Sequence, residues 1–182
     1  ANSRYVEIDG LRVRYLEAGV DLLRRGENSA GRTTDDESGA ERDADGETDE
    51  DAAPQPVVLL HGSGIDDAAL SWKHTIEHLA EERGRRVYAL DWPGYGESDD
   101  PDGEMTTEYY VGVLSAFLDA LGIDRAALVG VSMGGAAALG VALDRPDLVE
   151  RLALVDSYGL RDAVPGGVGS YLLANTPFAN LF

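Results

Sequence analysis

Gly130, Ser132 and Gly134 meet the pattern G-x-S-x-G. The stretch from Leu128 to Ala136 around them reads as an apolar strand, a sharp turn carrying one serine, and the start of a helix. A serine on such a turn has strained backbone angles, and its hydroxyl projects from the end of the strand, where it can act as a nucleophile. Side chains two positions to either side would collide with the turn, so glycine suits both places. Gly135 would let the new helix lie close to neighbouring strands. The N–H of Met133 would face the oxyanion formed when Ser132 attacks a carbonyl. A Gly-rich turn without chemistry is the competing reading of these five residues, and the remainder of the chain tips the balance.

The elements that would hold this turn follow from periodicity. Residues 4–8 alternate polar and apolar, Asp9-Gly10 is a two-residue hairpin signal, and Leu11, Val13, Tyr15 and Ala18 continue as a second strand with Leu16 out of phase. Residues 56–60, 86–90, 126–131 and 151–155 are further apolar strands. Trp72, Ile76, Leu79 and Ala80 recur at helical spacing up to Gly84. Residues 106–121 place Tyr110, Leu114, Phe117, Leu118 and Leu121 on one helical face, with Thr106 or Thr107 as cap and Glu108 in the first turn. Residues 133–144 form a helix that stops ahead of Pro146. This alternation predicts the α/β class: a mostly parallel sheet with an N-terminal antiparallel hairpin and helices on both faces. Three loops then stand at C-terminal ends of strands: residues 61–64, residues 91–99 and the Ser132 turn. Open α/β sheets gather their binding sites at those ends.

In this order and spacing, Leu59-Leu60-His61-Gly62-Ser63-Gly64, Asp91-Trp92-Pro93-Gly94-Tyr95-Gly96-Glu97-Ser98-Asp99 and Gly130-Val131-Ser132-Met133-Gly134-Gly135 resemble the motifs of the α/β-hydrolase superfamily. The resemblance covers about residues 5–156, apart from an insertion. It implies a nucleophilic Ser132, an oxyanion hole built from the N–H groups of Met133 and of Ser63 (or, alternatively, Gly64), and a structural His61 that positions its loop. It implies a small-molecule acyl substrate and no cofactor. Serine at this turn fits ester, thioester, amide or lactone hydrolysis through an acyl-enzyme; haloalkane dehalogenases and epoxide hydrolases of the superfamily use aspartate there. The His-Gly-Ser-Gly and Ser-Met-Gly-Gly pair also resembles lid-bearing hydrolases that cleave carbon–carbon bonds in ring-opened aromatic products, with a carboxylesterase as the broader expectation. Asp156 follows the last strand, where some members carry the triad acid; more carry it one strand later. Asp91 is a weaker candidate. Trp92 and Tyr95 either line a pocket mouth or pack their Gly-rich loop.

The superfamily triad runs Ser, then Asp or Glu, then His, and no histidine follows Ser132. Without a base, the hydroxyl is a weak nucleophile at neutral pH. His74 and His78 have the i, i+4 spacing of a metal pair but no third ligand, so no metal is expected. Residues 1–158 are the expected core, its first six strands only, truncated ahead of the superfamily's last two strand–helix units. Residues 159–182 read as the start of a lid or cap. The expectation is the N-terminal portion of a longer serine hydrolase whose base lies outside these residues. A non-catalytic protein that binds a ligand or partner, or a chain completed by a subunit that supplies the histidine, are the alternatives.

Residues 20–55 break the pattern. They carry Asp35, Asp36, Glu37, Glu41, Asp43, Asp45, Glu47, Asp49, Glu50 and Asp51 with few large apolar residues, and read as a disordered acidic insertion. Asp43, Asp45 and Gly46 resemble part of a calcium loop but fail its spacing. The 182 residues carry a net charge of −19, and Lys73 is the single lysine. Such acidity argues against a nucleic-acid partner and resembles proteins of salt-accumulating halophiles, whose dense carboxylates keep a surface hydrated in molar salt. No apolar run approaches the roughly 18 residues of a membrane span. The N-terminus lacks the basic start and apolar block of a signal peptide, so the expected compartment is the cytoplasm. Cysteine is absent, which excludes disulfides and thiolate metal sites. The sequence sets no oligomeric state.

Overall fold

In the computed structural model, which describes residues 1–19 and 55–160, Asp9 and Gly10 take φ values of 50° and 81°. They close a hairpin between β1 (Asn2–Ile8) and β2 (Leu11–Ala18), with Ile8 facing Leu11. β2 then pairs antiparallel with β4 (Val87–Leu90). β3 (Val57–Leu60) lies between β4 and β5 (Ala126–Val131), parallel to both, and β6 (Val149–Val155) runs parallel to β5. The six strands are ordered β1-β2-β4-β3-β5-β6. This is the mostly parallel sheet with an antiparallel N-terminal hairpin that the sequence predicts. The expected acidic insertion and most of the expected lid fall outside the described residues.

Helices cover both faces. On one, α1 (Ala68–Glu77) lays Ala68, Trp72 and Ile76 over Leu16, Val57, Leu59, Val87 and Ala89. On the other, α2 (Thr107–Ala120) and α3 (Met133–Asp144) bury Tyr110, Leu114, Phe117, Ala137 and Val141 with Val13, Tyr15, Val58, Leu60, Tyr88 and Leu128. β3 and β4 are therefore buried at every position, as expected of continuous apolar runs. The same cover explains Leu16. Its phase is right for the α1 face, whereas Val13 and Tyr15 serve the other.

Several boundaries move from their predicted places for local reasons. α1 begins at Ala68, ahead of the first periodic residue Trp72, because Asp67 caps it: its Oδ1 accepts from the N–H of Leu70 at 2.7 Å. The helix runs on into a π-helical turn, His78–Glu82, which apolar periodicity does not reveal. Thr106 caps α2 by accepting from the N–H of Tyr109 at 3.2 Å. Among the described residues, β6 is an edge strand. Leu152 and Leu154 pack against the core shared with α3, while Arg151, Ala153 and Val155 on the opposite face are exposed. Among the described residues, no helix is long and apolar enough to cross a membrane.

Candidate active site

Ser132 sits between the last residue of β5 and the first of α3 with φ 51° and ψ −114°. A non-glycine residue at positive φ costs of order 1–3 kcal/mol and persists only where its surroundings hold it. Those surroundings are two backbone hydrogen bonds to the next segment: the N–H of Ser132 donates to the carbonyl of Val155 at 3.0 Å, and the N–H of Tyr158 donates to the carbonyl of Ser132 at 3.0 Å. The serine hydroxyl is not used to cap α3, and the residue is half-buried. Both flanking glycines are sterically required. A Cβ on Gly130 would overlap the backbone of Gly134 and Gly135, and one on Gly134 would overlap the carbonyls of Leu60 and His61. A Cβ on Gly135 would fall 2.6 Å from Ser157 Oγ and 3.0 Å from the Gly130 carbonyl oxygen of β5, so this glycine lets α3 start close to its neighbouring strand.

The loop after β3 comes alongside. A Cβ on Gly62 would stand 3.4 Å from Ser132 Cβ. Ser63 and Gly64 follow directly, and Gly64 has φ 88°. The Gly62 N–H donates to Asp66 Oδ2 at 3.0 Å. No such backbone bond is donated by Ser63 or Gly64 among the described residues. Met133, at the first helical position, has an N–H with no intrahelical partner. Of the residues named from the sequence, Met133 follows Ser132 at the start of α3, and Ser63 and Gly64 follow Gly62 in the loop alongside it.

His61 is fully buried. Its Nδ1 hydrogen-bonds the Gly62 carbonyl at 2.8 Å, and its Nε2 accepts from the N–H of Trp92 at 3.2 Å. Trp92 returns a bond from its indole N–H to the His61 carbonyl at 3.0 Å. Burial pushes the imidazole pKa below its usual value, a shift the Gly62 carbonyl opposes. The ring is neutral, with both nitrogens engaged, and it fastens the β3 loop to the β4 loop. Trp92 is buried packing, whereas Tyr95 reaches a cleft and stacks edge-on to His61, ring centres 5.3 Å apart. The cleft, of about 360 Å³, is lined by Gly64, Ile65, Asp66, Asp67 and Leu70 from the β3 loop and α1 and by Gly94, Tyr95 and Gly96 from the β4 loop.

His74 and His78 lie down α1 and its π turn, away from the Ala68 end that meets the loops. At 1.5 Å per residue they stand roughly 9 and 15 Å further along the axis. They pair with Glu77 (3.9 Å) and Glu82 (2.9 Å) on the exposed surface. Among the described residues, no group of three metal-ligating side chains occurs. Asp156 follows Val155, the register partner of Val131, and so is level with Ser132 at the end of β6; it is exposed, with φ 43°.

Two carboxylates organise these loops, and sequence reasoning gave neither that role. Asp91 is fully buried. It accepts from the Ala68 N–H (2.8 Å), the Glu97 N–H (3.0 Å) and the Arg14 guanidinium (2.9 Å). Asp66 accepts from the N–H groups of Gly62 and Asp67 and from the Ser71 hydroxyl. The pair Asp66-Asp67 ahead of an apolar-periodic run is a helix-start signal that could have drawn attention to one of them.

The family described as alpha/beta hydrolase fold matches residues 55–179. The chain is 36% identical over 128 residues to the 2-hydroxymuconate semialdehyde hydrolase of Pseudomonas sp. (strain CF600), covering 69% of this chain and 44% of that one. It is 40% identical over 118 residues to the 2-hydroxy-6-oxo-2,4-heptadienoate hydrolase of Pseudomonas putida, covering 64% of this chain and 42% of the relative. Among solved structures it resembles a serine hydrolase involved in carbazole degradation, at 31% identity and a TM-score of 0.65 over 95% of this chain and 55% of the other. The chain thus spans less than half the length of these two curated relatives.

Proposed function

The chain belongs to the alpha/beta hydrolase fold family, and from that premise we propose that it is a serine hydrolase attacking a carboxylic ester or related acyl compound through Ser132. The carrying observation is the strained turn, which holds a half-buried serine whose hydroxyl is not spent on capping α3. In this reading Ser132 Oγ bonds to the substrate carbonyl carbon while its proton passes to a base. The resulting oxyanion is met by the N–H groups of Met133 and of Ser63 or Gly64. Expulsion of the leaving group gives an acyl-enzyme, which water hydrolyses. The base comes from outside these 182 residues, since His61 is engaged at both nitrogens and His74 and His78 lie well down α1. Asp156 is the acid candidate within the chain. Ile65 and Leu70 expose apolar side chains in the cleft beside the β3 loop, together with the carboxylates of Asp66 and Asp67.

The relatives' names make ring-opened dienoates the second substrate class to assay beside simple esters. The test uses the gene product at its natural length, whose intact mass is measured first. Expected are covalent labelling by a serine-directed fluorophosphonate and ester turnover, both abolished in Ser132→Ala. A folded protein that takes no label would support the second reading, a binding protein of this fold. The engagement of His61 and the remoteness of His74 and His78 are the observations favouring it.

A further inference from the structure

Gly62 is held between two side chains. A Cβ on it would stand 3.4 Å from Ser132 Cβ on one side and 3.5 Å from Asp66 Oδ2 on the other. The Asp66 carboxylate is 18% exposed. Its Oδ2 accepts from the Gly62 N–H at 3.0 Å, and its Oδ1 accepts from the Asp67 N–H at 2.9 Å. The Ser71 hydroxyl, from the first turn of α1, reaches both oxygens at 2.8 and 2.9 Å. His61 Nδ1 stands 4.0 Å from Oδ2. One carboxylate therefore closes residues 62–66 into a ring and fastens that ring to α1. It also takes up the Gly62 N–H, so that Ser63 and Gly64 carry the loop's next N–H groups.

We propose that Asp66 is a positioning residue for the oxyanion loop, setting where the N–H groups of Ser63 and Gly64 stand relative to Ser132. The proposal rests on the reading of Ser132 as the nucleophile. A carboxylate is required because both donors that it receives from the backbone are N–H groups. In Asp66→Asn the amide oxygen can keep one of them, but the NH2 cannot accept from the other. A loop displaced by about an ångström loses transition-state contacts and leaves ground-state binding nearly intact.

The test is steady-state kinetics of the natural-length protein with an activated ester, together with inhibition by a trifluoromethyl ketone that forms a tetrahedral adduct. Expected for Asp66→Ala is a fall in kcat of about 10²-fold, KM changed by less than about threefold, and a loss of inhibitor affinity parallel to the loss in kcat/KM. Asp66→Asn should fall between, and Ser71→Ala should show the same pattern more weakly. Ser132→Ala is run beside them. If it retains turnover, the nucleophile reading itself fails whatever Asp66 does. If it is inactive while Asp66→Ala keeps kcat and inhibitor affinity, the positioning role is overturned. A rise in KM matching the fall in kcat/KM also overturns it, as does an Asn variant no better than Ala. Should Asp66→Ala fail to fold, Ser71→Ala decides by the same split between kcat and KM.

Discussion

His61 uses both ring nitrogens to join two loops, and this sets how the fold responds to acid. Its pKa is lowered in the folded protein, chiefly by burial. The unfolded chain therefore takes up a proton near the ordinary value of 6.5 while the folded one does not. The stability contributed by the neutral ring is complete above that value and is lost as pH falls from it toward the lower folded pKa. Urea midpoints between pH 7 and about 5 should accordingly decline in the natural sequence, and the slope should flatten in His61→Gln. An unchanged slope would mean that other groups cause it. The strained turn at Ser132 was legible from the sequence because its steric demands fall on Gly130 and Gly134, two positions away. The role of His61 was legible only through family resemblance, since its partner Trp92 is distant in the chain and adjacent only in the fold. Asp91 was not legible as an organiser for the same reason; Asp66, whose partners Gly62, Asp67 and Ser71 are near in the chain, was not legible because a carboxylate's backbone donors leave no mark on residue type.

At the scale of elements, Asp91 is the point where β2, α1 and the loop after β4 meet. It receives Arg14 from β2, the Ala68 N–H from the start of α1, and the Glu97 N–H from its own loop. The negative charge also faces the positive end of the α1 dipole. Removing it leaves a guanidinium only 11% exposed with Glu97 at 3.6 Å and the Ser3 hydroxyl as its remaining partners, and leaves the Ala68 and Glu97 N–H groups without their acceptor. Asp91→Ala should therefore cost about 3–5 kcal/mol in urea unfolding. By contrast, Arg145 pairs with Asp119 across the exposed ends of α2 and α3, at 37% and 57% exposure. Arg145→Ala should shift the urea midpoint far less than Asp91→Ala, and similar losses at the two sites would refute this ranking. Hairpin, strands and helices were legible because both kinds of periodicity are strong here. The exceptions, the early start of α1 and its π-helical end, arise from an Asp cap and a hydrogen-bond shift rather than from the apolar pattern.

Over the whole molecule the net charge of −19 sets the response to salt. Like charges on one surface repel and favour expansion, and the Debye length falls to about 3 Å at 1 M salt. The thermal midpoint should therefore rise on going from dilute buffer to molar KCl. A midpoint indifferent to salt would count against adaptation of this surface to high ionic strength.

The sheet register carries one more consequence. Ala18, at the end of β2, and Val57, at the start of β3, both pair with Val87 of β4, one from each side. Two strand spacings of about 4.8 Å separate them, so the chain between must bridge only about 10 Å. A connection of about six residues could do so. The cost of closing a loop grows as the logarithm of its length, and a roughly sixfold shorter connection would lower that cost by about 1.5 kcal/mol. Excision of residues 20–54 in favour of a short Gly/Ser bridge should thus raise the unfolding midpoint while the register of all six strands is kept.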